Sequence, residues 1–440
     1  MTVAGWRCAC GADDLHTVYC PSCGRPVPGW VPLSSPDDTA RGRFALDRRG
    51  RWTAAALLLV LAAGLNVLTV RVTDRNTAVR RARAAALQRT VAELEAFVAD
   101  HHGGPFLRPV SVKALGDADF LLALGGVDPD DPPQPSSPTK SPPPASGDFA
   151  STMKGLGIAD VSDDPDRVRA TLLTDGIQGF YSTGNQRLYV RSRQLTAYAR
   201  LVLVHELTHA WQDQHYDLDS VLAGITGTDR VRATRALIEG DAARVERAWR
   251  ESRGAERAEI DAYERTLAKH GEPSRAERAY DALLAFPYQA GEAFVRTVLA
   301  RGGNAALDAA FAAPPVSTEQ VLHPAAYFRH DTPTTVPTPS SDDEVADVDA
   351  GELGEVGLIV VVGQGRIDRA ALLAASGWDG DAYVTWRLGA TTCTRVALVM
   401  DTGAGRDRLL GVLRTQHVAG RTVDGTGPTS MLMTTCVATP

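Results

Sequence analysis

The sequence predicts a protein of the α+β class, in which helices and strands occupy separate stretches of the chain. Two observations support this. The middle of the chain combines a strand hairpin with helical periodicity, and the C-terminal part mixes short strands and helices. The N-terminal part differs from both, because it holds cysteine pairs and an uncharged run. The length of 440 residues allows more than one domain. With a net charge of −7 and scattered arginines, the chain lacks the basic stripe that nucleic acid requires.

Residues 1–30 contain two cysteine pairs, in the sequence CACGADDLHTVYCPSCG. Cys8, Cys10, Cys20 and Cys23 can supply four thiolates to one structural zinc ion, although the first pair is closer together than usual. We expect a zinc ribbon, whose metal stabilises a segment too short to build a core and whose surface can bind a cytoplasmic protein. Two disulfides are the alternative.

After a polar linker at residues 31–51, residues 52–70 read WTAAALLLVLAAGLNVLTV and contain no charge. At about 1.5 Å per helical residue, this run matches the roughly 30 Å thickness of a bilayer core. We expect one transmembrane helix with Trp52 at the interface; a buried helix of a soluble domain is the alternative.

The cysteines, and not the arginines, predict the orientation of this helix. A zinc ribbon favours the reducing cytoplasm, whereas Cys393 and Cys436 in the C-terminal part can form a disulfide outside it. We expect a cytoplasmic N-terminus and an extracytoplasmic C-terminal part, and two unpaired buried thiols are the alternative. The positive-inside rule is nearly balanced. The arginines before the run are Arg41, Arg43, Arg48, Arg49 and Arg51, and those after it are Arg71, Arg75, Arg80, Arg81 and Arg83.

Residues 71–127 predict a helical stalk or the first part of an ectodomain. The segment AALQRTVAELEAFV has helical spacing, PVSVKAL indicates a strand and DADFLLAL a short helix. Residues 128–147 are rich in proline and serine and predict a linker. The main folded core is expected at residues 148–330. Within it, GFY and LYV flank STGNQ and predict a β-hairpin at residues 179–190.

The most specific motif lies within residues 201–214, LVLVHELTHAWQDQ, whose dense apolar spacing predicts a helix. On a helix, His205 and His209 lie one turn apart on one face and can share one zinc ion. Glu206 can then take a proton from a zinc-bound water, as the base of an HExxH hydrolase does. The alternative is a helix whose histidines only form hydrogen bonds.

A catalytic zinc needs a third protein ligand, and the sequence offers two. His215 has the spacing of the pattern HExxHxxGxxH, but Gln212 replaces its glycine, and no methionine for the later Met-turn occurs between Met153 and Met400. Glu239, in ALIEGDAARVERAW, fits the arrangement of HExxH followed by a glutamate on a later helix. We favour Glu239.

From about Phe97 to its C-terminus, the chain resembles gluzincin-type zinc metallopeptidases, and more closely a group of membrane-anchored bacterial proteins. The similar segments are GFYSTGNQRLYVR, HELTHAWQDQHYDLD, ALIEGDA, FPYQAGEAFV, PPVSTEQVLHPAAYF and AASGWDGDAYV. The resemblance implies a gluzincin-like fold, with His205, His209 and Glu239 as zinc ligands and Glu206 as the base. In gluzincins a strand before the motif helix borders the cleft, so the hairpin becomes a candidate for binding substrate backbone.

A peptidase also needs a donor for the oxyanion, commonly a tyrosine or histidine from a later segment. Tyr288, His323 and Tyr327 are the candidates, with His323 slightly favoured, and each has a purely structural role as its alternative. Asp213 and Asp241 could orient a ligand imidazole, or could be ordinary polar residues.

Residues 331–352 predict a second linker, and residues 353–440 a C-terminal α/β layer. The expected elements are an apolar run at 356–362 that is strand or helix, helices at 370–375 and 407–413, and strands at 382–388, 395–401 and 431–437. Their order is compatible with a split βαβ unit.

Together these features predict a single-pass membrane protein whose extracytoplasmic domain is a zinc metallopeptidase acting on a peptide or protein. Glu206 would take the proton of the attacking water and pass it to the leaving amine. The alternative is a cell-envelope binding or scaffold protein without hydrolysis, but such a protein has no use for a base beside a zinc ligand. An intramembrane protease is disfavoured because the motif lies more than a hundred residues from the uncharged run.

Overall fold

The computed structural model describes residues 82, 85–127, 149–160, 163–168, 177–191, 195–267, 272–341 and 347–438. The predicted zinc ribbon, transmembrane helix and Pro/Ser-rich linker lie outside these residues. Within the described residues, no helix is both long enough and apolar enough to cross a bilayer. The described chain from residue 85 onward belongs to one compact unit of mixed α+β structure.

The first layer is a small three-stranded sheet with two helices. The strands lie in the order β1-β3-β2, with β1 parallel to β3 and β2 antiparallel to it. The predicted hairpin is therefore confirmed, and Gln186, with φ of 56°, takes the left-handed conformation in its turn. The elements are α1 (85–102), β1 (Ser111–Ala114), α2 (Asp117–Leu124), β2 (Gly179–Ser182) and β3 (Arg187–Val190).

The predicted motif helix is α5, Ala197–Tyr216. Thr196 begins it by accepting a hydrogen bond from the N–H of Ala199, and Asp217 ends it in the left-handed conformation. Nearly every side chain from Leu201 to Asp213 is buried, because β2 and β3 pack on one side of the helix and α7 (Thr228–Ser252) on the other. Burial on both sides explains the dense apolar spacing of this stretch.

Six further helices complete the helical part. In the longest of them, α9 (Arg275–Ala312), Gly302 and Gly303 leave helical geometry and bend the helix without ending it. The helices are α6 (Leu218–Leu222), α7 (Thr228–Ser252), α8 (Gly254–Leu267), α9 (Arg275–Ala312), α10 (Thr318–Leu322) and α11 (Pro324–Arg329).

Helices α7 and α9 approach each other at two glycines. A Cβ atom on Gly291 would lie 2.0 Å from the carbonyl oxygen of Ala236, and one on Gly240 would lie 2.2 Å from the carbonyl carbon of Gly291. Only glycine fits at such a contact. This close packing sets the height of Glu239 on α7 relative to Tyr288 on α9.

The C-terminal part is a five-stranded antiparallel sheet in the order β4-β5-β6-β8-β7. Strands β6 and β7 run parallel to each other, are connected through α14, and have β8 between them, so the expected split βαβ unit is present. The elements are β4 (Asp347–Gly351), α12 (Gly354–Val362), α13 (Arg369–Ala375), β5 (Trp378–Leu388), β6 (Thr391–Met400), α14 (Gly403–Thr415), β7 (Arg421–Gly425) and β8 (Ser430–Ala438).

Several boundaries predicted from the sequence need correction. The apolar run at 356–362 is the buried helix α12, and the predicted linker at 331–352 contains strand β4. The core expected at residues 148–330 does not include α3 (Phe149–Gly155), because this helix packs on the C-terminal sheet, where Thr152 donates to Asp349 at 2.6 Å. The helical residues 165–168 form α4.

The two C-terminal cysteines are bonded to each other. Cys393 on β6 lies directly opposite Cys436 on β8, and the two form a disulfide. The bond joins the central strand β6 to β8, the last strand of the chain that the structure describes. The expected pairing is therefore present in the structure.

A group of acidic side chains lies where α10 and α12 meet the C-terminal sheet. Burial, with the charges of Glu355 and Asp401, raises the pKa of Glu319 to about 7, while His323 opposes the shift. Because this pKa exceeds the ordinary value of 4.5, the folded chain keeps a proton that the unfolded chain releases as the pH rises between these values. The free energy of unfolding therefore falls over that interval.

We predict that Glu319→Gln removes this loss of stability. After allowance for partial exposure, the variant should be about 1 kcal/mol more stable than the wild type at about pH 8, with no gain at about pH 4. Urea unfolding at both pH values measures the effect, and Glu251→Gln, an exposed charge removed from α7, is the control. An equal effect of Glu319→Gln at both pH values would contradict the prediction.

A second prediction concerns the contact of α7 with α9. Gly291→Ala should force the helices apart and lower the free energy of unfolding by about 2 kcal/mol or more. Gly411→Ala on α14 is the matched control, because a Cβ there meets no atom within 4 Å. That control should gain about 0.5–1 kcal/mol from helix propensity. Chemical unfolding of both variants tests the prediction, and equal stability would refute it.

Candidate metal centre

Three side chains from two helices converge on one point. His205 and His209 lie one turn apart on α5, and Glu239 faces them from α7. Glu239 Oε2 lies 3.2 Å from each Nε2 atom, and the two Nε2 atoms are 3.1 Å apart. Within the described residues, these three side chains form a group whose ligand atoms lie close enough to one another to hold one metal ion.

A carboxylate holds the first histidine. His205 Nδ1 donates to Glu246 Oε2 at 3.0 Å, two turns after Glu239 on the same helix. A carboxylate accepts hydrogen bonds, so the proton of a neutral His205 resides on Nδ1 and the lone pair on Nε2. That lone pair is directed at the point where His209 and Glu239 meet.

An amide holds the second histidine. Gln212 Nε2 donates to the carbonyl oxygen of Ile238 at 3.1 Å and to Asp241 Oδ2 at 2.9 Å. This network fixes the amide, so its Oε1 faces His209 Nδ1 at 2.9 Å. The imidazole must donate from Nδ1, and its Nε2 presents a lone pair to the same point as His205.

Asp241 in turn accepts hydrogen bonds from a histidine and an arginine. It is fully buried, and it accepts from His102 Nε2 at 2.9 Å and from the guanidinium of Arg244 at 2.6 Å. Burial alone would raise the pKa of Asp241, but His102, Arg244 and Gln212 outweigh it and hold the pKa below its usual range. The ionised carboxylate therefore fixes the orientation of the Gln212 amide.

The electrostatics of the three converging groups match a cation site. Burial raises the pKa of Glu239, but the two histidines outweigh it and bring that pKa well below its usual value. Burial lowers the pKa of His205, but Glu239 and Glu246 more than offset this effect and raise it. The same balance with Glu239 raises the pKa of His209. Each group thus favours a positive charge at the point where they meet.

Glu206 lies between the motif helix and the edge strand β2. It is 8% exposed, and the backbone N–H of Tyr181 donates to its carboxylate. A Cβ on Gly179 would lie 3.2 Å from Glu206 Cγ, so the strand passes directly over this side chain. Burial raises the pKa of Glu206, although both motif histidines oppose the shift. A raised pKa strengthens a carboxylate as a proton acceptor.

Among the three candidate oxyanion donors, Tyr288 lies beside the histidines. Its ring centroid is 5.8 Å from that of His205, and the side chain is 43% exposed. The charge of Glu239, followed by burial, raises the pKa of Tyr288, so its hydroxyl stays a donor. His323, slightly favoured from the sequence, instead contacts Glu355 at 3.0 Å. The hydroxyl of Tyr327 donates to the carbonyl of Ala313.

Two other residues considered as ligands or orienting groups lie outside the cluster. His215 stacks on Trp211 with ring centroids 3.7 Å apart, and its Nδ1 donates to the carbonyl of Trp211. Asp213 accepts from the Tyr181 hydroxyl at 2.9 Å and lies 3.6 Å from the Arg108 guanidinium. The groups that contact the imidazoles are Gln212 and Glu246.

Sequence reasoning missed Gln212, Glu246 and His102. Gln212 replaces the glycine of the pattern HExxHxxGxxH and, at three residues after His209, lies on the same helical face. Glu246 stands seven residues, two turns, after Glu239 and shares its face. Both could have been found from helical spacing. His102 could not, because its contact with Asp241 spans 139 residues.

Comparison with protein-family models, with curated proteins and with solved structures gives no match.

We predict that Gln212→Leu weakens zinc binding by about 10- to 100-fold, because His209 loses the acceptor that fixes its tautomer. Gln214→Leu is the control on the same helix, since Gln214 bonds to the backbone of Leu107 and Arg108. Competition with a chelator of known affinity gives both constants. Equal zinc affinity of the two variants would show that Gln212 does not orient the ligand.

Proposed function

We propose that the chain is a zinc-dependent metallopeptidase of the gluzincin type. One observation carries the proposal: two imidazole Nε2 atoms and a carboxylate oxygen converge, with Glu206 next to the first histidine on the same helix. Two histidines and one glutamate are a common ligand set of catalytic zinc, which leaves a fourth position for water or substrate.

The residues present fit a zinc ion. Both Nδ1 atoms are engaged by other groups, so both Nε2 lone pairs are free for a metal. Without a cation or an added proton, three lone pairs about 3 Å apart would repel one another. Zinc held by His205, His209 and Glu239 would polarise a scissile carbonyl and lower the pKa of a bound water.

The proton transfers of peptide hydrolysis are assigned to Glu206. Its carboxylate takes a proton from the attacking water and later passes it to the leaving amine, as a buried carboxylate of raised pKa is suited to do. Tyr288 is the proposed oxyanion donor because its hydroxyl remains protonated beside His205.

An extended peptide is the proposed substrate, bound along β2. This strand lies at the edge of its sheet, and Tyr181 directs its N–H towards Glu206 and away from β3. A peptide added to this edge by backbone hydrogen bonds would pass beside the base. The membrane anchor, the cytoplasmic zinc ribbon and the extracytoplasmic position of the peptidase complete the proposal from the sequence alone.

We predict that Glu206→Gln keeps its zinc and loses hydrolysis by about 10²- to 10⁴-fold, because the amide cannot take the proton. The measurement combines peptide turnover with zinc content, and Glu251→Gln, an exposed substitution on α7, should change neither. Full hydrolysis by Glu206→Gln would remove the mechanism. A wild type that binds zinc and cleaves no peptide would favour a binding or scaffold protein.

A further inference from the structure

We propose that Arg235 binds a carboxylate of the substrate and so makes the site prefer peptides that carry a negative charge near the scissile bond. The carboxylate belongs either to the C-terminus of the peptide or to an Asp or Glu side chain. This inference rests on the proposed peptidase function and names the substrate class of the same site.

Arg235 lies on the same face of α7 as Glu239, the proposed zinc ligand. It stands four residues, about one helical turn, before Glu239, and residues with this spacing lie above one another. Side chains of a helix lean towards its N-terminus, so Arg235 and Glu239 project from successive turns of the same face. Arg235 is exposed to solvent.

Most arginines of α7 are already paired. Arg232 donates to the carbonyl of Leu353, and Arg244, Arg247 and Arg250 form ion pairs with buried or half-buried carboxylates. Within the described residues, Arg235 forms neither a hydrogen bond nor an ion pair. The fold therefore leaves this guanidinium available to a ligand.

Arg235 interacts electrostatically with Tyr288, which lies beside His205. It opposes the effect of Glu239, Glu206 and Glu246 on the pKa of the Tyr288 hydroxyl. The ring of Tyr288 lies 5.8 Å from that of His205, so the guanidinium acts on a side chain that stands beside the proposed metal site.

The surrounding charges explain why a cation is needed there. Glu206, Glu239 and Glu246 would repel an anionic substrate, and a metal ion at the histidines offsets their charge only in part. A planar guanidinium binds a carboxylate through two parallel hydrogen bonds, which lysine cannot do. An unpaired arginine one helical turn from Glu239 thus supplies both the charge and the geometry for a carboxylate.

The test uses the full chain loaded with zinc and made inactive by Glu206→Gln, so that binding is measured without turnover. The probes are four alanine-rich peptides with acetylated N-termini, in two matched pairs. One pair ends in a free carboxylate or an amide, and the other pair is amidated and carries Glu or Gln at one internal position. Isothermal titration calorimetry gives each dissociation constant.

In at least one pair, the acidic peptide should bind about 10-fold or more tightly than its neutral twin, and the pair concerned identifies the source of the carboxylate. Adding Arg235→Gln should abolish that difference and leave the neutral peptide unchanged. Arg230→Gln is the matched control, because Arg230 is exposed on the same helix but turned about 140° from Arg235. This control should keep the preference.

The inference is overturned if acidic and neutral twins bind equally, if none of the four peptides binds, or if Arg235→Gln weakens both members of a pair equally. The same peptides are then offered to the chain with Glu206 intact. Binding preference without hydrolysis would contradict the peptidase and leave the role of Arg235 standing. Hydrolysis without a binding preference would support the peptidase and contradict the role of Arg235.

Discussion

The buried carboxylate of Asp241 joins three helices on which the site depends. It accepts hydrogen bonds from His102 on α1 and from Gln212 on α5, and it lies itself on α7. Asp241 therefore fixes the position of α5 against α7. Because Gln212 also accepts from His209 Nδ1, the same carboxylate indirectly fixes the tautomer of His209, a proposed zinc ligand. A buried charge is tolerated only when it is paired in this way.

The glycine contact between α7 and α9 is the second constraint. Gly240 and Gly291 let the two helices approach until backbone touches backbone. This approach brings Tyr288 beside His205 while Glu239 faces the same histidine. The site is thus built from three long helices whose relative heights are fixed by one buried ionic network and one pair of glycines.

The sequence could predict the parts of the site that depend on local spacing. His205, Glu206 and His209 follow from one helical turn, and the β2–β3 hairpin follows from its turn residues. Glu239 was chosen over His215 because Gln212 could not make the turn that the rival pattern needs. In the structure Glu239 lies against the two histidines, whereas His215 stacks on Trp211.

Features that depend on distant contacts could not be predicted. The contact of His102 with Asp241 and the packing of α3 on the C-terminal sheet join parts of the chain far apart in sequence. Strand β4 was hidden because its sequence, DVDAG, is polar and lacks the pattern of a strand. The contact of His323 with Glu355 could not be predicted either, because Glu355 comes from α12.

Zinc content, measured by elemental analysis of the full chain, tests the central claim most directly. The wild type, Glu239→Ala and His215→Ala are compared side by side, so that any zinc bound elsewhere cancels in the difference. We expect Glu239→Ala to hold about one zinc ion fewer per chain than the wild type, and His215→Ala to hold the same amount as the wild type. Equal zinc in all three, or a loss in His215→Ala alone, would contradict it.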